Sequence, residues 1–170
     1  MRIYEHTSDP QALRWAVDIY RWVRSALFDD ETNLYFDRIS PEGRVERTLW
    51  SYNQGTMIGA AVLLHRATKD DKYLVQAIKT ADASLGAFDM VELVKQGPAF
   101  NAIYLRNLFM LDLLVPQVGH RELATSYGDV MWEQNRNGAT GLFRSGESPL
   151  NASAPMIEIY SLLAGATPRA

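Results

Sequence analysis

Trp50-Ser51-Tyr52-Asn53-Gln54-Gly55-Thr56-Met57-Ile58-Gly59-Ala60-Ala61-Val62-Leu63-Leu64-His65-Arg66-Ala67-Thr68-Lys69-Asp70-Asp71-Lys72-Tyr73-Leu74-Val75-Gln76-Ala77 decides the fold. Met57, Ile58, Ala60, Ala61, Leu63 and Leu64 form an apolar run with helical spacing, which predicts a helix over about 53–67. A second helical pattern occupies 71–87, and only Thr68-Lys69-Asp70-Asp71 connects the two. A connection this short forces the helices antiparallel. Asp71 is the natural N-cap of the second helix. Gly55, Gly59, Ala60, Ala61, Ala77, Ala81 and Ala83 leave room for close helix packing. The stretch is a helical hairpin.

The pattern repeats on both sides. Asp9 caps and Pro10 opens a helix over 10–28, with Leu13, Val17, Tyr20 and Val23 or Arg24 at helical spacing. Residues 29–49 break the period. There Leu34-Tyr35-Phe36 and Arg44-Val45-Glu46-Arg47-Thr48-Leu49 flank Ser40-Pro41-Glu42-Gly43, which reads as a turn between two short extended segments. Further helices are expected over 99–115, stopping at Val115-Pro116, over 120–136, and over 153–164. Nothing suggests a parallel sheet. The fold class is all-α, an array of paired antiparallel helices in one domain of 170 residues.

Composition narrows the function. Net charge is −3 and no basic patch is concentrated anywhere, which argues against nucleic acid or an anionic membrane surface as partner. The absence of cysteine excludes disulfides and thiolate chemistry. No run approaches the ~20 apolar residues of a membrane span. The start, Met1-Arg2-Ile3-Tyr4-Glu5-His6, lacks the pattern of a signal peptide, so a cytoplasmic location is the default expectation. His6, His65 and His120 are dispersed; no metal ligand set or cofactor motif is assigned, and His65 reads as a solvated or dipole-stabilised residue at a helix end. Met57, Met90, Met110, Met131 and Met156 read as core filler. Asn151-Ala152-Ser153 is a formal glycosylation sequon that reads as a helix cap.

Trp50-Ser51-Tyr52-Asn53-Gln54-Gly55 concentrates sugar-binding chemistry at a helix mouth. Trp and Tyr present flat amphipathic rings, and Asn and Gln each offer two donors and an acceptor to neighbouring hydroxyls. The alternative reading is a helix start with two buried aromatics. Asp29-Asp30 and Asp70-Asp71 could supply paired carboxylates, but adjacent aspartates after a helix or in a turn are ordinary solvated caps. Neither pair is assigned a catalytic role.

Four segments taken in order resemble glycoside hydrolase family 76, the endo-α-1,6-mannanases with an (α/α)6 barrel. Trp50–Gly55 is similar to the family's Trp-x-Tyr-Asn-Gln-Gly. Ala67-Thr68-Lys69-Asp70-Asp71-Lys72-Tyr73-Leu74, with Ala77, is similar to its Thr-Gly-Asp-x-x-Tyr-Leu-x-x-Ala hairpin. Phe100-Asn101-Ala102-Ile103-Tyr104-Leu105-Arg106 resembles Phe-Lys-Gly-Ile-Phe-x-Arg, with Asn101 and Ala102 in place of the family's Lys and Gly. Trp132-Glu133-Gln134-Asn135-Arg136, Gly141-Leu142-Phe143 and Ala152-Ser153-Ala154 follow its closing order, and its Trp-x-Gly-Pro element is reduced to Arg144-Ser145-Gly146-Glu147.

The resemblance implies the C-terminal half of such a barrel. The family's catalytic Asp-Asp-x-x-Trp-Trp segment has no counterpart here, since Asp29-Asp30 is followed by Glu31-Thr32-Asn33-Leu34. By resemblance, Trp50 and Tyr52 would stack on mannose, Asn53, Gln54 and Arg106 would hold hydroxyls, and Phe100 would line the cleft. Two functions follow: the substrate-cleft half of an α-mannan hydrolase, inactive alone and the product of a truncated or degenerate gene, or a non-catalytic helical module that binds carbohydrate or protein. Members of the family are often exported. Half a barrel exposes the faces that met the other half, which predicts a homodimer or association with a partner half.

Overall fold

The computed structural model describes residues 1–144 and 149–165; Ser145, Gly146 and Glu147 of the expected closing element lie outside the described residues. Its helices are α1 (Arg2–Thr7), α2 (Pro10–Leu27), α3 (Ser51–Thr68), α4 (Asp71–Ala87), α5 (Met90–Gln96), α6 (Pro98–Asp112), α7 (Val118–Val130) and α8 (Pro149–Gly165). The protein is all-α, as the periodicity predicted. Asp9 caps α2 by accepting a hydrogen bond from the Gln11 N–H at 2.8 Å. The α3–α4 connection is tight because Lys69 adopts a left-handed conformation, φ 58°.

Several local expectations are corrected. Asp70, not Asp71, caps α4: its carboxylate accepts from the Lys72 N–H, and Asp71 is already helical. Helix α6 ends at Asp112, three residues before the expected stop at Val115. The helix over 120–136 is present, but its last turn, Met131–Asn135, widens to π geometry. Asn151-Ala152-Ser153 lies inside α8 rather than capping it. Helices α1 and α5 were not anticipated, being too short to display a period.

Two small antiparallel pairs connect α2 to α3. Strand β1 (Phe28–Asp29) pairs with β2 (Leu34–Tyr35), and β3 (Arg38–Ile39) pairs with β4 (Val45–Glu46). The turn at 40–43 is as expected, with Gly43 at φ 80°, but its first arm is Arg38–Ile39. Leu34-Tyr35 instead turns back on the end of α2.

Packing divides the helices into two layers. Ten of the eighteen residues of α3 are buried, so it is central. The contacts of α3 with α6 rise together along both helices. Ser51 bonds Asn101, a Cβ on Gly55 would stand 2.5 Å from the Tyr104 Cα, and one on Gly59 would meet Asn107. The two helices are therefore parallel and in backbone contact, which only glycine at 55 permits. Helix α4 returns antiparallel behind them, where the Ser84 hydroxyl meets the Tyr104 hydroxyl at 2.7 Å. Helix α7 does the same for α8: Arg121 reaches the Leu163 carbonyl at 3.3 Å and Tyr160 the Gly128 carbonyl at 2.9 Å. So α3, α6 and α8 form one parallel layer, with α4 and α7 outside it. The core between them holds Ile58, Leu64, Tyr104, Leu105, Leu108 and Met156. At one edge α2 leaves Trp15, Ile19 and Trp22 exposed at 62, 63 and 58%.

Candidate functional site

The parallel arrangement of α3 and α6 brings their N-terminal ends side by side. Ser51 joins them: its hydroxyl donates to Asn101 Oδ1 at 2.9 Å, and its N–H donates to Gln96 Oε1 at 2.7 Å. Asn101 in turn donates to the Leu93 carbonyl at 2.6 Å, tying α5 to the same junction. Asn101 is buried, and a lysine ammonium there would be stripped of water. The neutral amide of Asn101 is a structural tie in this chain.

Three of the expected site residues meet at this junction. The rings of Trp50 and Phe100 lie 5.5 Å apart edge to face, and those of Tyr52 and Phe100 lie 4.5 Å apart and tilted. All three rings are half-buried. The Trp50 residue holds the N-cap position of α3 in an extended conformation, which lifts its side chain out of the helix. Mutually packed, partly exposed aromatics suit a pyranose, whose C–H face is apolar and whose rim is polar.

Asn53 stands beside the rings and points its amide at Asp37, an acid that the sequence did not single out. Asp37 Oδ1 accepts from the Tyr52 hydroxyl at 3.1 Å and from Asn53 Nδ2 at 3.3 Å. Burial first, and then the neighbouring Asp37 carboxylate, push the Tyr52 hydroxyl above its ordinary value, so Tyr52 stays a donor. The β3–β4 hairpin carries Asp37 to this point. No local sequence signal marks that approach, because it links positions fifteen residues apart.

Gln54 differs from the expectation. It is fully buried, its Oε1 accepts from the Tyr35 N–H at 2.8 Å, and its Nε2 donates to the Tyr35 carbonyl at 2.8 Å and the Trp50 carbonyl at 3.2 Å. The carboxamide acts as a missing strand partner for β2 and offers nothing to a ligand. Arg106 also stands apart from the rings. It lies six residues beyond Phe100 on α6, roughly 9 Å along the axis, and pairs with Glu158 of α8 at 2.8 Å. There it borders an apolar groove of about 680 Å³ between α2, α3 and α6, lined by Ile19, Val23, Ala60, Leu63, Ile103 and Met110 among others.

The acidic pairs serve turns. Asp29 accepts from the Thr32 hydroxyl at 2.7 Å within the β1–β2 turn, and Asp30 lies 3.6 Å from Arg24. Asp70 caps α4 and pairs with Lys72, whose ammonium holds its carboxyl below the ordinary value. His65 is partly buried at the end of α3, its Nδ1 3.3 Å from the Asp70 carbonyl oxygen. Among the described residues no group of three His, Asp or Glu side chains could hold a metal ion, and no helix is long and apolar enough to cross a membrane.

A parallel layer backed by antiparallel helices, with aromatics gathered at the N-termini of the layer, is the arrangement of the helical (α/α)-barrel class of folds. The chain belongs to Glycosyl hydrolase family 76, whose sequence profile matches residues 1–144. The α-1,6-mannanase of Salegentibacter sp. HEL1_6 has a similar structure, with a TM-score of 0.81 and 28% identity over 95% of this chain and 54% of that one. An inactive variant of that enzyme, with two consecutive aspartates replaced by asparagine, is similar at TM-score 0.82 and 28% identity, and was solved with α-1,6-mannotriose. The Lin0763 protein of Listeria innocua shares the fold, with a TM-score of 0.83 and 24% identity over 96% of this chain and 51% of that one. The chain thus spans about half the length of these structures. No curated protein matches it.

Proposed function

We propose that this chain is the substrate-cleft half of a glycoside hydrolase acting on α-1,6-mannan, and that it supplies sugar subsites rather than the catalytic carboxylate pair. The observation that carries this reading is the meeting of Trp50, Tyr52 and Phe100 at the N-terminal ends of two parallel inner helices, with Asn53 beside them. A mannosyl ring stacks on these aromatics, and Asn53 bonds its hydroxyls. Arg106 serves a more distant unit of a long chain, and Gln54 supports the platform from behind by fixing Tyr35 and Trp50. Retaining hydrolysis requires two carboxyl groups about 5 Å apart on either side of the scissile bond. Asp29 and Asp30 are held at a turn by Thr32 and Arg24. In this reading the chain corresponds to the C-terminal half of the family's barrel, and the acids come from elsewhere.

The test has two arms. Purified chain incubated with linear α-1,6-mannan releases no reducing ends, yet it is retained on immobilised mannan and eluted by free mannotriose. Hydrolysis that disappears in Asp29→Asn or Asp30→Asn would overturn the assignment of both residues to the turn. A second reading, a non-catalytic protein-interaction module, draws support from the exposed Trp15-Ile19-Trp22 stripe. Failure of the chain to be retained on mannan favours that one.

A further inference from the structure

We propose that Asp37 is a sugar-reading residue of this cleft, accepting a mannosyl hydroxyl through its Oδ2 while Oδ1 holds the aromatic platform in place. The inference rests on the substrate-cleft reading above and adds a residue to it.

A carboxylate has about four acceptor sites, two on each oxygen. At Asp37 the two oxygens have different surroundings. Oδ1 takes the Tyr52 hydroxyl at 3.1 Å and Asn53 Nδ2 at 3.3 Å, which fills it. Among the described residues Oδ2 has only Arg38 Nε, at 3.9 Å and outside hydrogen-bond distance. Arg38 is itself turned to Glu46, with a fork of contacts at 3.1 and 3.2 Å, so it does not satisfy Oδ2. The Asp37 side chain is only 16% exposed. A carboxylate this enclosed, with one oxygen filled and the other open, has unused acceptor capacity beside the rings.

The position of that spare acceptor gives it a ligand. Tyr52 carries Asp37 on its hydroxyl and Phe100 4.5 Å from its ring, so acceptor and aromatic surface lie at the two ends of one side chain. A pyranose stacked on the rings places its rim hydroxyls within reach of a group at the Tyr52 hydroxyl. Those hydroxyls are donors, and a hydrogen bond to an ionised acceptor is about twice as strong as one between neutral groups. Asp37 therefore selects a ring that directs a hydroxyl toward Oδ2, which stacking alone cannot do.

The discriminating experiment is calorimetric titration of the full chain with α-1,6-mannotriose, comparing wild type, Asp37→Asn, Tyr52→Phe and Trp50→Ala. Asp37→Asn keeps the acceptor for Tyr52 and turns Oδ2 into a donor; it is expected to weaken binding about tenfold. Tyr52→Phe keeps the ring and leaves the carboxylate free, and is expected to lose no more than about threefold. If Asp37→Asn loses no more than Tyr52→Phe, Asp37 acts only through Tyr52 and the proposal is overturned, while loss of binding in Trp50→Ala leaves the cleft reading standing. No binding by wild type overturns both. Should Asp37→Asn not fold, the wild-type chain decides with mannotrioses lacking single ring hydroxyls. One of these is expected to bind about tenfold more weakly, and equal binding by all of them rules the role out.

Discussion

Asn53 and Gln54 are chain neighbours with the same functional group, and the helix sends them in opposite directions. Asn53 stays at the mouth beside Asp37, whereas Gln54 turns into the core and completes the hydrogen bonding of Tyr35. The sequence carried a signal for this: Gln54 lies four residues before Ile58 and seven before Ala61, on the stripe that is buried in α3. Residue chemistry alone does not reveal it, since an amide suits a sugar or a backbone equally well. Gln54→Ala leaves the Tyr35 N–H and carbonyl without partners inside the protein. An unsatisfied buried group costs about 1–3 kcal/mol, so a total loss of about 3 kcal/mol is expected. Urea denaturation measures it, and a loss below about 0.5 kcal/mol, the size of an ordinary surface change, would contradict the structural role.

At the scale of elements, glycine position decides how α3 meets α6. At Gly55 a methyl group would collide with the Tyr104 backbone, which cannot rotate away, whereas at Gly86 in α4 it would meet nothing within 4 Å. Gly55→Ala is expected to destabilise by about 1–3 kcal/mol through overpacking, and Gly86→Ala to stabilise by up to about 1 kcal/mol through reduced unfolded-state entropy. Thermal melts of the pair give the two signs directly. The α3–α4 hairpin was legible to within two residues because a long apolar period and a short connector both define it. Its cap shifted by one residue, from Asp71 to Asp70, because adjacent aspartates are equivalent until the backbone turns. The strand pairings were not legible, since two-residue strands carry no alternation and their register depends on contacts with α3. The same absence of local signal hid Asp37. Tyr52 could be selected from its chemistry and Phe100 from the family resemblance, but their meeting depends on the glycine contact that sets α3 against α6.

For the whole molecule, the core is rich in buried tyrosine. Burial raises Tyr20, Tyr35 and Tyr104 above their ordinary value of 10.0, and raises Tyr127 to about 12. Their folded values exceed their unfolded ones, so their contribution is complete below pH 10.0 and is lost as pH rises toward the folded values. Melting temperature is expected to fall steeply above about pH 10, and a flat profile to pH 11 would contradict this. The α2 edge has a different consequence. Trp15, Ile19 and Trp22 repeat at i, i+4 and i+7 and lie open to solvent. In a purified sample the apolar surface available to cover this stripe belongs to a second copy, so the chain is expected to self-associate. Sedimentation velocity at tens of micromolar should show a dimer that Trp15→Ser with Trp22→Ser converts to monomer; a well-folded wild-type monomer would contradict it. The central claim is that the aromatic junction of α3 and α6 holds α-1,6-linked mannose. The measurement that tests it most directly is calorimetric titration of α-1,6-mannotriose into the wild-type chain and Trp50→Ala. Saturable binding that weakens at least about tenfold in Trp50→Ala is predicted, each stacked ring being worth about 1.4 kcal/mol or more. Equal binding by the two proteins, or none by either, would contradict it.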